Sequence, residues 1–130
     1  TFGDYPFAPE SDPVVMPNNA IHTGESCDWQ GVGGKVVDIQ GRHLTGILIR
    51  LSGFYNGKTI DMTAISGGAS AWYRESGYEF IIGSTPIEST GTLMVQLVDQ
   101  SLVPISDQVV FNTYTDCDKN LILINFKQIR

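Results

Sequence analysis

The sequence predicts an all-β fold, a β-sandwich preceded by an extended N-terminal arm. Short runs of alternating apolar and polar residues recur along the chain, and Gly, Asn and Pro residues separate them. No window shows the i, i+3, i+4, i+7 apolar spacing of an amphipathic helix. We therefore expect an arm over residues 1–12 and one sandwich domain over residues 13–130.

The arm contains two prolines and no helical periodicity, so an extended conformation is expected. It also carries three aromatic residues, Phe2, Tyr5 and Phe7, which need a surface to pack on. Two alternatives stay open. The arm is either a tail that is mobile or folded back on its own domain, or a segment that docks on a neighbouring subunit.

Residues 31–51 are expected to form the central hairpin of the fold, a strand, a tight turn and a second strand. Gly41 lies in the polar break between the two apolar runs and suits a turn position with positive φ. In the second run Ile47, Ile49 and Leu51 share one face, which is the period of a strand with one buried side.

The remaining strands follow from the same alternation. Asn56-Gly57 is a strong two-residue hairpin signal and predicts a third strand over residues 58–64. An apolar run between prolines at residues 14–16 would be an edge strand, since proline donates no ladder hydrogen bond. Residues 66–72 are expected to form a loop of small residues. The other expected strands are residues 78–82, 92–98, 108–113 and 120–127.

Two cysteines, Cys27 and Cys117, lie near opposite ends of the expected domain. An even count in a β-rich chain with few lysines favours one disulfide and an exported, extracellular protein. Two free thiols in a cytosolic protein are the alternative. Closing a loop of about 90 residues would stabilise the fold by up to ~4.5 kcal/mol in the chain-entropy model.

Composition narrows the classes of partner. The 130 residues are 42% hydrophobic and 17% charged, so the chain can bury a core. The net charge of −6 argues against nucleic acid, because such binding depends on Lys and Arg that neutralise phosphates. No apolar run approaches the roughly 20 residues of a membrane helix, so no membrane insertion is expected. Because the chain starts at Thr1, we expect either a removed signal peptide or a longer parent protein.

Residues 32–49 (Val-Gly-Gly-Lys-Val-Val-Asp-Ile-Gln-Gly-Arg-His-Leu-Thr-Gly-Ile-Leu-Ile) resemble the signature of carboxypeptidase-regulatory-like domains. His43 stands where that family usually has proline. Residues 27–29 and 114–126 resemble uncharacterised extracellular domains of environmental bacteria such as Chloroflexota. The resemblance implies a transthyretin-like, immunoglobulin-like sandwich of about seven or eight strands, but no particular activity.

The sequence contains few patterns typical of a catalytic or metal-binding site. His22 and His43 both fall in predicted loops without further ligands at metal-site spacing, so each is expected to be a solvated loop residue. Asp116 and Asp118 could contribute to a calcium site, but a solvated turn is the preferred interpretation. Since no nucleophile or dinucleotide motif is present either, we expect neither enzymatic activity nor a cofactor.

Three aromatic residues outside the arm, Tyr55, Trp72 and Tyr73, are candidates for a platform that stacks on sugar rings. Core packing is the preferred alternative for Trp72.

Two functions follow as hypotheses. The first is a structural subunit that assembles head-to-tail with copies of itself into a filament or surface array, its arm adding a strand to the next subunit. The second is a carbohydrate- or protein-binding accessory module of a larger secreted protein, with glycans as possible partners.

Overall fold

The computed structural model describes residues 4–130, and nearly all of its regular structure is β-strand. A four-residue helix, α1 (Ser70–Tyr73), lies in the predicted loop, and short 3-10 turns cover Asn18–Ala20 and Cys117–Lys119. The strands in chain order are β1 (Phe7–Pro9), β2 (Val14–Met16), β3 (Gln30–Gly34), β4 (Val36–Val37), β5 (Leu48–Tyr55), β6 (Lys58–Ile65), β7 (Tyr78–Gly83), β8 (Ser89–Val98), β9 (Val109–Thr113), β10 (Leu121–Leu123) and β11 (Phe126–Gln128). The predicted all-β sandwich is confirmed, with eleven strands in the described part.

The strands form two layers. One layer is a four-stranded sheet in the order β6-β5-β8-β9. The other contains two sheets, β2-β10-β3-β7 and β1-β11-β4, which join where β3 leads into β4 and β10 leads into β11. At this junction the Ile124 N–H donates to the Gly33 carbonyl at 2.9 Å, and the Phe126 N–H donates to the Lys35 carbonyl at 2.9 Å. The β3–β10 and β4–β11 pairs are parallel, and the other paired strands are antiparallel.

The core lies between these layers and consists mainly of aliphatic side chains that alternate along the strands. This alternation confirms the period-2 patterns of the sequence at β5, β7 and β8. The buried side chains include Val32, Val36, Ile49, Leu51, Tyr78, Phe80, Leu93, Val95, Leu97, Phe111, Ile122, Ile124 and Phe126.

The predicted hairpin over residues 31–51 is wrong, although its turn exists. The Gly41 N–H donates to the Asp38 carbonyl at 3.0 Å, and Gly41 has a φ of 83°. After the turn only an isolated bridge joins Val37 to His43, and the chain then crosses to the opposite layer, where β5 pairs with β6 and β8. Both halves bury one face in the same core, so alternation reports burial without revealing which strands pair.

The turn between β5 and β6 confirms the hairpin signal. Asn56 and Gly57 have φ values of 52° and 77°, and Tyr55 pairs with Lys58. Two positive φ values in a two-residue loop are typical of a type I′ turn, which matches the twist of the flanking strands. In contrast, the run expected as one strand over residues 120–127 is divided into β10 and β11, which lie in different sheets.

The arm becomes part of the sandwich from Phe7 onward. Phe7 is buried in the core, pairs with Gln128 of β11 and donates its N–H to the Ile105 carbonyl at 3.2 Å. Tyr5 is half-buried, and its carbonyl accepts a bond from Arg130 Nε at 3.3 Å. Phe2 lies outside the described residues. Within this single chain Phe7 therefore packs on its own domain, and docking of the arm on a neighbouring subunit stays a prediction.

The predicted disulfide between Cys27 and Cys117 is present, with the two Cα atoms 5.4 Å apart. It joins the segment that precedes β3 to the 3-10 turn that precedes β10. Among residues 4–130, no helix has the length and apolar character needed to cross a membrane.

Candidate functional site

The outer face of β3 is covered by aromatic rings that come from outside the strands. In β3 the inward side chain is Val32, whereas the neighbouring outward positions are Gly31 and Gly33. A Cβ atom at Gly31 would lie 2.7 Å from the Trp29 ring, and one at Gly33 would lie 2.4 Å from the Tyr73 ring. Both positions therefore need glycine, because the rings lie directly on the backbone. The buried cluster on this face, the outer layer, consists of Trp29, Ala69, Tyr73 and Leu121.

A histidine–glutamate pair lies beside the outer layer. His22 Nε2 is 2.5 Å from Oε2 of Glu79, which projects from β7, and the Tyr73 hydroxyl donates to the same oxygen at 2.7 Å. His22 is only 7% exposed. The prediction that His22 is a solvated loop residue is therefore wrong, because the segment before β3 folds over the sheet and brings the ring to a carboxylate 57 residues away.

Tyr73 serves as a hydrogen-bond donor in this arrangement. Burial of the ring, and then the hydrogen bond to Glu79 and its negative charge, hold the pKa of Tyr73 well above its usual value. The hydroxyl therefore keeps its proton and continues to donate to the carboxylate.

Trp72 presents the exposed part of the site. Its side chain is 48% exposed, and its ring centroid lies 4.1 Å from that of His22, with an angle of 39° between the planes. The His22 ring also lies 5.6 Å from the Trp29 ring. A buried, hydrogen-bonded imidazole thus supports an indole that is otherwise open to solvent.

Trp72 lines two neighbouring clefts. The first has a volume of about 320 Å³ and is also lined by Ile65 and Glu79. The second has a volume of about 210 Å³ and is also lined by Lys35 and Arg74. The indole therefore adjoins an acidic residue in one cleft and two basic residues in the other.

Arg74 has an unusual backbone conformation where α1 ends. Its φ of 78° and ψ of −175° fall in a region that is essentially restricted to glycine. Such a conformation costs of order 1–3 kcal/mol for other residues and persists only where the surroundings impose it. The turn that imposes it is closed by a 2.9 Å bond from the Gly77 N–H to the Arg74 carbonyl.

The three residues predicted as a sugar-stacking platform do not share one exposed surface. Tyr55 is 6% exposed and belongs to the main core, where its hydroxyl donates to Gln30 Oε1 and burial raises its pKa. Tyr73 is 5% exposed and belongs to the outer layer. Of the three, Trp72 alone is exposed.

The other candidate residues lie away from Trp72 or remain ungrouped. His43 lies in the loop after the turn and is half-buried, with Nδ1 2.7 Å from the hydroxyl of the buried Ser76. Asp116 and Asp118 are exposed at the turn before β10. Within the described part of the chain, no three His, Cys, Asp or Glu residues are grouped closely enough to hold a metal ion.

One signal in the sequence could have located the site. Glycine at alternate positions of an otherwise apolar strand often marks a place where another group approaches the backbone. Gly31 and Gly33 carry that signal, although nothing in the local sequence names Trp29 and Tyr73 as the approaching groups.

No known family model matches the chain, and no curated protein matches it. Among solved structures, chlorocatechol 1,2-dioxygenase from Pseudomonas putida is similar, with 10% sequence identity and a TM-score of 0.45. The match covers 82% of this chain and 63% of the dioxygenase, so the chain spans less than two thirds of that protein's length. A similarity at this level indicates nothing about function.

Proposed function

We propose that the domain is a non-enzymatic carbohydrate-binding module of an extracellular protein and that Trp72 is its principal contact. Trp72 carries this proposal, because an indole that is 48% exposed is held in place by the buried His22 ring. Rigid aromatic surfaces bind with little loss of side-chain entropy and present an apolar face beside polar edges. The apolar face of a sugar ring suits such a surface.

Glu79 supplies the polar group that a sugar needs beside the stacking surface. His22 and Tyr73 both bond to its Oε2 atom, which leaves Oε1 to accept a hydrogen bond from a sugar hydroxyl. The first cleft brings this carboxylate and Trp72 together. Bonds to an ionised acceptor are roughly twice as strong as bonds between neutral groups, so Glu79 would orient the ligand.

An extracellular location is part of the proposal, and the Cys27–Cys117 disulfide supports it. Disulfides of this kind persist in oxidising compartments and are rare in the cytosol.

Binding to an array of polysaccharides and oligosaccharides, followed by titration of the best ligand, tests the proposal. Trp72→Ala is expected to weaken binding by about 2 kcal/mol, or roughly thirtyfold, as for a central aromatic contact. Phe54→Ala is the matched control, because Phe54 is an aromatic residue on β5 that is 50% exposed, close to the value for Trp72. The affinity of the Phe54→Ala variant for the saccharide is expected to equal that of the wild type. Unchanged binding by Trp72→Ala, or equal loss in both variants, would contradict the proposal.

Head-to-tail self-assembly is a second candidate, and β1 is the observation that favours it. This three-residue strand near the chain start docks on β11 through backbone pairing and buries Phe7. A second copy offers the same acceptor site, so exchange of β1 between copies would link them without new contacts. Light scattering over a range of concentrations tests this candidate. Growth in size that is lost on deletion of residues 1–12 supports it, and a monomer at every concentration contradicts it.

A further inference from the structure

We infer that the saccharide bound at Trp72 is acidic and that Lys35 and Arg74 hold its carboxylate or sulfate group. This inference rests on the proposed function and assigns a ligand class to the same site.

The second cleft places the required groups next to the stacking surface. Its volume of about 210 Å³ suits one substituent or part of a sugar ring, and Trp72 separates it from the cleft that contains Glu79. Lys35 and Arg74 reach it from different parts of the chain, since Lys35 lies between β3 and β4 and Arg74 ends α1. A ring stacked on Trp72 would therefore have cationic groups beside one of its edges.

The two cations are available to a ligand. The chain has only eight Lys and Arg residues and a net charge of −6, so its surface is acidic on average. A cleft lined by two basic residues therefore differs in charge from the rest of the surface. Among the described residues, the arginine ion pairs are Arg42 with Asp38 and Arg50 with Asp61. Neither Lys35 nor Arg74 forms an ion pair within that part of the structure. An arginine fork binds carboxylate and sulfate oxygens with favourable geometry.

Asn125 adds a neutral donor to the same cleft. Its side-chain carbonyl accepts a hydrogen bond from the backbone N–H of Lys35 at 3.0 Å. This bond fixes the carboxamide and leaves its NH₂ group to donate to a ligand in the cleft. Two cations and an amide donor can together satisfy several acceptor oxygens of one anionic group.

The carboxylate of Glu79 does not compete for this role. It accepts bonds from His22 and Tyr73, and it lines the other cleft. An acidic sugar would therefore orient with its anionic substituent toward Lys35 and Arg74 and a hydroxyl toward Glu79.

An array with neutral, carboxylated and sulfated saccharides separates this inference from the proposed function. The expected ligands are carboxylated or sulfated, with neutral counterparts bound at least about tenfold more weakly. Binding of neutral saccharides alone, still dependent on Trp72, would overturn the inference and leave the proposed function standing. Binding of no saccharide would overturn both.

Variants then test the two cations, with polygalacturonate as the carboxylated probe, dextran sulfate as the sulfated probe and dextran as the neutral control. Arg74→Gly and Lys35→Gln are each expected to weaken binding of the preferred acidic probe by about tenfold at low salt. Glycine accepts the backbone conformation of Arg74, so Arg74→Gly should remain folded, which thermal unfolding checks. Lys58→Gln is the control, because Lys58 is an exposed cation remote from the site. It begins β6, whereas Ile65 at the other end of β6 lines the first cleft. Equal weakening by Lys58→Gln, or none by the two site variants, would overturn the inference.

Discussion

The two buried regions of the molecule differ in the side chains that fill them and in how those side chains are supplied. The inner core is mainly aliphatic, and regular alternation along paired strands delivers its residues, such as Leu51 and Val95. Two of the four side chains of the outer layer are aromatic, and these two, Trp29 and Tyr73, reach it from a connecting segment and the short helix α1. The His22–Glu79 pair lies beside this second region.

This difference indicates a division of roles. Aliphatic packing between two sheets stabilises the fold without presenting chemistry to solvent. The outer layer buries less apolar surface, yet it orients an ionisable pair and an exposed indole. Substitutions in the two regions should therefore differ in their effects on stability.

The largest effect is expected in the inner core. Leu51→Ala removes a fully buried side chain from β5 and leaves a cavity between the sheets, so the free energy of unfolding should fall by about 3 kcal/mol. Urea denaturation measures this change. Trp72→Ala is the comparison from the exposed side of the site and should lower the same quantity by less than about 1 kcal/mol. Similar losses in the two variants would contradict the division of roles.

An intermediate effect is expected beneath the outer layer. Gly33→Ala places a methyl group 2.4 Å from the Tyr73 ring, so the ring must move and its bond to Glu79 should weaken. We expect a loss of about 1–3 kcal/mol in unfolding free energy, with a change in near-ultraviolet circular dichroism.

The Gly33→Ala/Tyr73→Ala double variant checks the cause of this loss. Since truncated Tyr73 leaves room for the methyl group, the double variant should lose less stability than the sum of the two single variants. Strict additivity would show that Tyr73 is not the source of the strain.

The smallest effect appears only at alkaline pH. Burial raises the pKa of Tyr78 in the inner core and, together with Glu79, that of Tyr73 in the outer layer. Above about pH 10 the unfolded chain releases these protons while the folded chain keeps them, so stability present below pH 10 should fall as pH rises. Each tyrosine contributes at most about 1.4 kcal/mol per pH unit.

The test is to measure the unfolding free energies of Tyr78→Phe and Tyr73→Phe between about pH 8 and pH 11, because free tyrosine titrates within roughly this range. Each variant should show a shallower alkaline decline than the wild type. An unchanged slope in both variants would contradict the prediction.

The sequence predicts the inner core well because alternation, turn chemistry and burial agree there. The Asn56-Gly57 turn, the strand around Val95 and the Cys27–Cys117 disulfide are all present. The pairing of strands is harder to predict from the sequence, because the same alternation fits several pairings. The predicted hairpin over residues 31–51 is an example.

The site was largely beyond prediction from the sequence. The bond between His22 and Glu79 joins residues 57 positions apart through a segment without regular periodicity. The burial of Phe7 likewise depends on a strand pair between opposite ends of the chain. Residue type alone makes Trp72 a candidate for sugar stacking, whereas its packing against His22 is visible only in the structure.

The pairing of β1 with β11 determines how the domain responds to tension. Phe7 lies opposite Gln128, so a force that separates the two chain ends peels this antiparallel pair one hydrogen bond at a time. The disulfide then transmits the force from Cys27 directly to Cys117, so the loop of chain between the two cysteines is shielded from tension. Extension stops once the 26 residues before Cys27 and the 13 residues after Cys117 are released, at about 140 Å for roughly 3.5 Å per residue.

This mechanical limit passes through the candidate site. His22 lies on the segment that tension peels away, whereas Trp72 and Glu79 lie within the shielded loop. Stretching therefore withdraws the imidazole from beneath the indole, and it also removes β2 and β10 from one sheet and β1 and β11 from another, while the β6-β5-β8-β9 sheet lies wholly within the shielded loop. Under the proposed function, load would therefore weaken saccharide binding by removing the imidazole that packs against Trp72.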